Sequence, residues 1–212
     1  PPRWKECQKD VDSLLEHALS SLYVRTYFNE DAVTESRTIG ENLRAAFMTM
    51  LEENTWMDEA TKKAAFTKAR AMQMLLGYDE WQTDDEALEA RYEALSFNLK
   101  AAPVAFHLTA AKWKSDDNYR LLIKPVRKDE MLLPAYIINA MFHALTNAIY
   151  FPAAFLQPPF FEATYSTAMN YGALGAAMGH ELTHGFDDEG SQFDSQGKLH
   201  DWWDATSRAQ FN

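Results

Sequence analysis

His180 and His184 stand four positions apart, with Glu181 beside the first, in the run His180-Glu181-Leu182-Thr183-His184. On an α-helix, a spacing of four puts two side chains on one face about one turn apart. Two imidazole nitrogens so placed can both reach one zinc ion at roughly 2.0–2.1 Å. Glu181 is turned about 100° from His180, so it stands beside the metal position rather than on it. There it is a candidate general base, taking a proton from a water that the ion has acidified and passing it to a leaving amine. The chemistry implied is zinc-dependent hydrolysis. The chain has six His in 212 residues, and a chance match to this pattern is on the order of one in a hundred.

The residues after His184 limit how such a site can be completed. A pattern with a third histidine, H-E-x-x-H-x-x-G-x-x-H, requires Gly at 187 and His at 190. These positions hold Asp187 and Gly190. The remaining route is a carboxylate from a later helix. Asp204 could reach back, although Leu199-His200-Asp201-Trp202-Trp203-Asp204 reads better as a packed helix start. The alternative is a Glu beyond Asn212. Asp187 or Asp188 can bond the outer nitrogen of a histidine ligand, or can be an ordinary loop carboxylate.

The motif needs a helix to carry it, expected from about Ser166 to Phe186. At about 100° per residue, Ala173, Ala177, His180 and His184 share a face within roughly 60°, and the small side chains leave room for a substrate. Gly172, Gly175 and Gly179 fall on an adjoining face, where close backbone packing would offset about 2–3 kcal/mol of lost helix propensity. Upstream, Met131–Ala140 reads as a strand entered at Pro134 and therefore an edge. Asn147–Pro152 reads as a second strand joined to it. Leu121–Val126 is a short strand or loop, and Gln157-Pro158-Pro159 breaks the chain before the motif helix.

The first half reads as helices. Val11, Leu14, Leu15, Ala18 and Leu22 form one stripe, running to about Phe28. Ile39, Leu43, Ala46, Phe47, Met50 and Leu51 form another. A third helix is expected from near Thr55 through Thr61–Leu76, stopped by Gly77, and a fourth from the capping pattern Thr83-Asp84-Asp85-Glu86 to about Lys100. Methionines at helical spacing in this half read as core filling. His17 and His107 lack a metal-spaced partner.

Composition fits a folded globular chain: 47% hydrophobic and 13% aromatic residues, with a net charge of −11. The acidic balance and the lack of a basic stripe argue against nucleic acid. No apolar run reaches the roughly 18 residues of a membrane span. The chain starts at Pro1 without a signal-peptide pattern and stops at Asn212 in mid-pattern, so we expect a piece of a longer protein. Cys7 is the only cysteine; it is either a lone thiol or half of a bridge to a cysteine elsewhere.

Gly179–Asp188 reads Gly-His-Glu-Leu-Thr-His-Gly-Phe-Asp-Asp. It follows Phe151-Pro152-Ala153, Leu156-Gln157-Pro158-Pro159-Phe160 and Asn170-Tyr171-Gly172. With Asp201-Trp202-Trp203, Ser21-Leu22-Tyr23-Val24 and Thr55-Trp56-Met57-Asp58, this set resembles the neprilysin and endothelin-converting-enzyme family, peptidase family M13, along nearly the whole chain. The resemblance implies a two-lobed, mainly helical ectopeptidase, extracellular or at the cell surface, that cleaves oligopeptides on the amino side of hydrophobic residues. It implies one Zn2+ per site, with the third protein ligand in an E-x-x-x-D helix beyond residue 212. Peptide substrates are the implied partners, together with the remainder of the polypeptide or a separate C-terminal chain.

By position, Asn139 and Ala140 match the family's substrate-holding strand, and Phe155 and Phe160 match positions lining the hydrophobic pocket for the residue after the cleaved bond. Cys7 matches a family cysteine that pairs with one in the N-terminal part. Met141-Phe142 replace an aromatic pair that usually ends in Tyr. Ala176-Ala177-Met178 replace bulkier aliphatics, implying a roomier pocket beside Ala177. The expected fold is mainly α with a small β-sheet (α+β): residues 1–100 as part of a helical lobe, and 101–212 as the N-terminal part of a thermolysin-like catalytic lobe. The chain by itself is expected to bind zinc weakly and not to turn over peptide. The rival expectation is an inactive family member serving as a binding or scaffold protein, against which the intact Glu181 argues.

Overall fold

Between Met72 and Leu76 the chain buries every second residue, Met72, Met74 and Leu76 being 2%, 7% and 7% exposed. A period of two is the signature of a strand with one face in a core, and the computed structural model, which describes residues 1–98, 100 and 103–211, contains one there. Strand β1 (Gln73–Gly77) replaces the C-terminal part of the expected third helix. That helix, α4, covers only Glu59–Ala71, and it is capped by Asp58, whose side chain accepts from Thr61 N, rather than by Thr55. Gly77 has φ +89°, so a glycine suited to a left-handed backbone is used at the end of a strand instead of a helix.

β1 pairs in parallel with β3 (Ala148–Pro152), and β2 (Met141–His143) pairs antiparallel with the other side of β3, giving the order β1-β3-β2. The central strand, expected over Asn147–Pro152, is buried along its whole length. The edge strand is displaced from the expected Met131–Ala140 to Met141–His143. Its predecessor sends its backbone donors elsewhere: Met131 N to the Asp79 carboxylate, Ala135 N to Ser20 Oγ and Ile137 N to Pro134 O. With those amides taken, Met131–Ala140 forms one turn at Ala135-Tyr136 and otherwise irregular backbone, and a ladder begins only past Ala140.

The helical part consists of α1 (Arg3–Leu14), α2 (Glu16–Tyr27), α3 (Asp31–Glu53), α4, α5 (Asp85–Tyr92) and α6 (Pro103–Leu121). The expected single helix from Val11 is broken at Leu15, whose φ and ψ of −117° and 34° leave the helical region. The break rotates the buried face, so Ser20, Ser21 and Val24 are inside while Leu22 is 64% exposed. α5 is capped by Asp84, one residue after the expected Thr83, and stops at Tyr92. Of the expected continuation to Lys100, Leu99 lies outside the described residues, as do Ala101 and Ala102 at the expected boundary between segments. α6 has no counterpart in the sequence reading.

α3 packs against β1 and α8. Ile39 joins Met72, Met74, Leu76, Ile149, Phe151, Leu174, Met178 and Leu182 in the main core, with Leu43 and Phe47 against it. Arg44 and Arg37 of α3 also donate to Met72 O at 2.7 Å and to Met74 O at 3.3 Å, which covers carbonyls along the outer edge of β1. Among the described residues no helix is long and apolar enough to cross a membrane. The architecture is the expected mainly α fold with a small sheet.

Candidate metal centre

The helix expected over Ser166–Phe186 is present in three parts: α7 (Thr167–Asn170), a wider π turn (Tyr171–Gly175) and α8 (Ala176–His184). Ser166 caps it, its Oγ accepting from Met169 N at 3.3 Å. Met178 and Leu182, 1% and 3% exposed, anchor α8 on the sheet. The π turn adds a residue to the register, so only α8 has the regular spacing that carries His180 and His184. Close packing was expected at three glycines of this helix. A Cβ at Gly172 or Gly179 would meet nothing within 4 Å, and one at Gly175 would make ordinary contacts with Tyr171 and Ile39. The propensity cost is thus not offset by tight backbone contact at those sites.

The polar side of α8 faces a cavity of about 560 Å³, lined by His180, Glu181, His184, Asp187, Glu189 and the edge segment 139–145. His180 Nε2 and His184 Nε2 lie 2.9 Å apart, with their rings inclined at 85°. Two nitrogens bonded to one tetrahedral zinc at 2.0–2.1 Å would lie about 3.3 Å apart. The observed separation is therefore within roughly 0.4 Å of the one that two donors to a single zinc need. Glu181 is 7% exposed and lines the same cavity.

The outer nitrogen of His184 is held. Its Nδ1 is 2.7 Å from Asp187 Oδ2, which makes Nδ1 the protonated nitrogen and leaves the Nε2 lone pair free. The hydrogen bond to Asp187 raises the imidazole pKa against the opposing effect of burial. Burial would push the Asp187 carboxyl up, but the hydrogen bonds from His184, Gly190 N and Glu189 N hold it below its ordinary value. Those two amides reach Asp187 Oδ1 at 2.7 and 3.0 Å. Asp188 contributes a backbone contact, its carbonyl accepting from Gln192 Nε2 at 2.9 Å.

Asn139 and Ala140 line the cavity just before β2. Phe155, Phe160 and Ala177 lie instead in or against the main core, and the two phenyl rings stack at 4.2 Å. Asp204 is turned away: its Oδ1 accepts from Thr206 N at 2.8 Å, next to the start of α9 (Ala205–Phe211). Among the described residues no group of three or more His, Cys, Asp or Glu is placed to hold a metal ion. The spacing of the two imidazole nitrogens fits that of two zinc donors. His143, Glu189 and Phe193 also line the cavity without a spacing signal in the sequence, and Lys68 lies behind it. Lys68 carried a usable signal, a lysine on the apolar face of α4 with Ala65, Ala69 and Met72.

Two models of peptidase family M13 match the chain, an N-terminal one over residues 1–79 and a second over 139–212. Neprilysin-1 of Caenorhabditis elegans is 41% identical over 211 residues, covering 100% of this chain and 28% of that protein. Membrane metallo-endopeptidase-like 1 of Mus musculus is 35% identical over 211 residues, covering 99% of this chain and 28% of that protein. The crystal structure of the Mycobacterium tuberculosis zinc metalloprotease Zmp1 in complex with inhibitor superposes with a TM-score of 0.86 at 31% identity, over 100% of this chain and 30% of that one. The chain thus spans about 28% of the length of the curated relatives it matches.

Proposed function

The chain belongs to peptidase family M13, and from that premise we propose that it carries two metal ligands and the general base of a zinc-dependent endopeptidase. The observation that carries this reading is the 2.9 Å approach of His180 Nε2 to His184 Nε2 in a cavity shared with Glu181. The names of the relatives, an endopeptidase and a zinc metalloprotease among them, support the same class.

His180 and His184 would hold zinc through Nε2, with a third protein donor supplied from outside these 212 residues. Bound there, zinc would supply Lewis acidity, polarising a substrate carbonyl and lowering the pKa of a water towards ~7. Asp187 fixes the His184 tautomer by accepting from Nδ1. Glu181 takes a proton from the attacking water at a carboxylate oxygen and carries it to the leaving amine nitrogen.

Asn139 and Ala140 lie just before β2, whose free edge an extended peptide can join by main-chain hydrogen bonds. Oligopeptides cleaved on the amino side of hydrophobic residues are the proposed substrates. Phe155, Phe160 and Ala177 would form the apolar ground under the pocket for that residue. Extracellular or cell-surface placement belongs to the same reading. The 212-residue chain alone, with two imidazole donors where catalytic zinc takes three protein ligands, would bind zinc weakly and not turn over peptide.

The test is to incubate the full-length polypeptide with a peptide mixture and map the cleavage positions by mass spectrometry. Cleavage before hydrophobic residues, abolished by a chelator and restored by zinc, is the expected result. Cleavage insensitive to chelation, or none at all, would overturn the reading.

A further inference from the structure

Lys68 is a cation where stability alone calls for none. It sits on the apolar face of α4 between Ala65, Ala69 and Met72, and it is 1% exposed. Removing an ammonium from water forfeits its hydration, and an apolar side chain of similar length would fill the space without that loss. Its charge is met by two carbonyl dipoles, by ring faces and, at longer range, by the carboxylates of Asp194 and Asp187. Nζ donates to Gly190 O and to Phe193 O at 2.6 Å each. It stands 5.9, 5.5 and 5.9 Å from the ring centres of Phe142, Phe186 and Trp202, within the range of cation–π attraction.

The two carbonyls bracket the turn Gly190–Gln192 that follows α8. Gly190 is the joint of this turn. Its carbonyl accepts from Lys68, and its amide donates to Asp187 Oδ1 at 2.7 Å. A Cβ on it would lie 1.9 Å from His184 O, so the turn is pressed against the end of the histidine helix. Asp187 Oδ2 in turn holds His184 Nδ1 at 2.7 Å. A continuous path of short polar contacts thus leads from Lys68 through Gly190 and Asp187 to the His184 ring.

We propose that Lys68 is a positioning residue for the metal centre, clamping the turn after α8 so that Asp187 keeps the His184 ring aimed at the metal position. The proposal rests on the reading of His180 and His184 as metal ligands. It gives the N-terminal segment matched over residues 1–79 a part in the site, since the clamp comes from α4 and the ligands from the segment matched over 139–212. A purely structural anchor would stabilise the fold and leave the ligand geometry alone.

The test uses the full-length polypeptide loaded with zinc or with cobalt(II), as Lys68→Met, Lys68→Gln, Asp187→Asn and the double variant Lys68→Met/Asp187→Asn. The readouts are metal affinity by chelator competition, the visible spectrum of the cobalt form, and the melting temperature without metal. Lys68→Met should weaken metal binding about 10-fold, in the range seen for residues that support metal ligands, and should shift the cobalt spectrum. The double variant should bind no more weakly than Asp187→Asn, because both changes act on one contact. Lys68→Gln keeps N–H donors and should fall between Lys68→Met and wild type.

A folded Lys68→Met with wild-type affinity and spectrum would overturn the proposal. So would effects of Lys68→Met and Asp187→Asn that add in full. Should Lys68→Met not fold, the spectrum of Lys68→Gln decides in the same way, a wild-type spectrum counting against the clamp. Wild-type protein that binds no metal would overturn the reading of the site itself, a failure visible before any Lys68 variant is measured.

Discussion

Asp187 uses both of its oxygens: Oδ2 stands 2.7 Å from His184 Nδ1, while Oδ1 takes the amides of Gly190 and Glu189. The residue therefore ties ring orientation to the course of the chain after the helix. Asp187→Asn has one acceptor oxygen for these three donors. If that oxygen stays with the amides, the Asn NH2 faces Nδ1 and drives the His184 proton to Nε2, the atom needed for metal. Zinc affinity of the full-length protein should fall by about 10–100-fold. Competition with a calibrated chelator measures this, and unchanged affinity would count against the role given to Asp187.

Glu181 and the histidines have separable roles. Glu181→Gln keeps the size of the side chain at its 7% exposed position and removes the basic oxygen. Peptide cleavage should drop by roughly 10²–10⁴-fold or more, with zinc content unchanged by elemental analysis. Cleavage near the wild-type rate would place the base elsewhere.

Burial lowers the Lys68 ammonium from 10.5 to about 8 in the fold, against the fields of Asp194 and Asp187, which favour its charge. Below about pH 8 the group is charged in both folded and unfolded chains, and the burial penalty is present in full. Between about 8 and 10.5 the unfolded chain binds more protons, so rising pH favours the fold. Measured against Lys68→Met by denaturant unfolding, wild-type stability should improve by on the order of 2 kcal/mol from about pH 7 to about pH 9.5. A flat difference across that window would mean that the amine is not buried as a cation.

Gly190 has no room for a methyl group. A Cβ would lie 1.9 Å from His184 O and 2.9 Å from Gly185 C, both backbone atoms that cannot swing aside. Gly190→Ala should cost at least about 3 kcal/mol of stability, or displace the turn and with it the Asp187 contact. Limited proteolysis and zinc retention report the two outcomes. A variant that melts and binds zinc like wild type would show that the turn is looser than its contacts imply.

The sequence made the site legible where chemistry dictates spacing. His180, Glu181 and His184 need a helix, and Ser166 signals its start; both are where the pattern puts them. The run Asn147–Pro152 was legible because a short apolar segment between turn signals has few other uses. Residues 72–76 were misread because Met72 and Leu76 also continue the helical stripe of α4, and only pairing with β3 decides for the strand. Gly77 does have the positive φ that a glycine there suggests, on a different element. α6 was missed because its apolar residues do not form one buried stripe: Val104, Leu108, Tyr119 and Leu121 are all more than half exposed. The π turn and the buried partners of Lys68 arise from packing between distant segments, which local periodicity does not encode.

The parallel pairing of Gln73–Gly77 with Ala148–Pro152 bears on how the molecule assembles. Gln73 meets Ala148 about 75 positions later, so the pairing closes a long loop whose entropy must be lost before any contact repays it. Non-local pairings of this kind slow folding. The helix carrying His180 and His184 rests on that sheet, so its footing is set late, after the local helices have formed. During synthesis, residues 1–79 would emerge with β1 exposed and wait for β3. A nick in the intervening stretch would leave two pieces able to reassociate through β1 and β3, whereas either piece made alone would display an unpaired strand prone to aggregation.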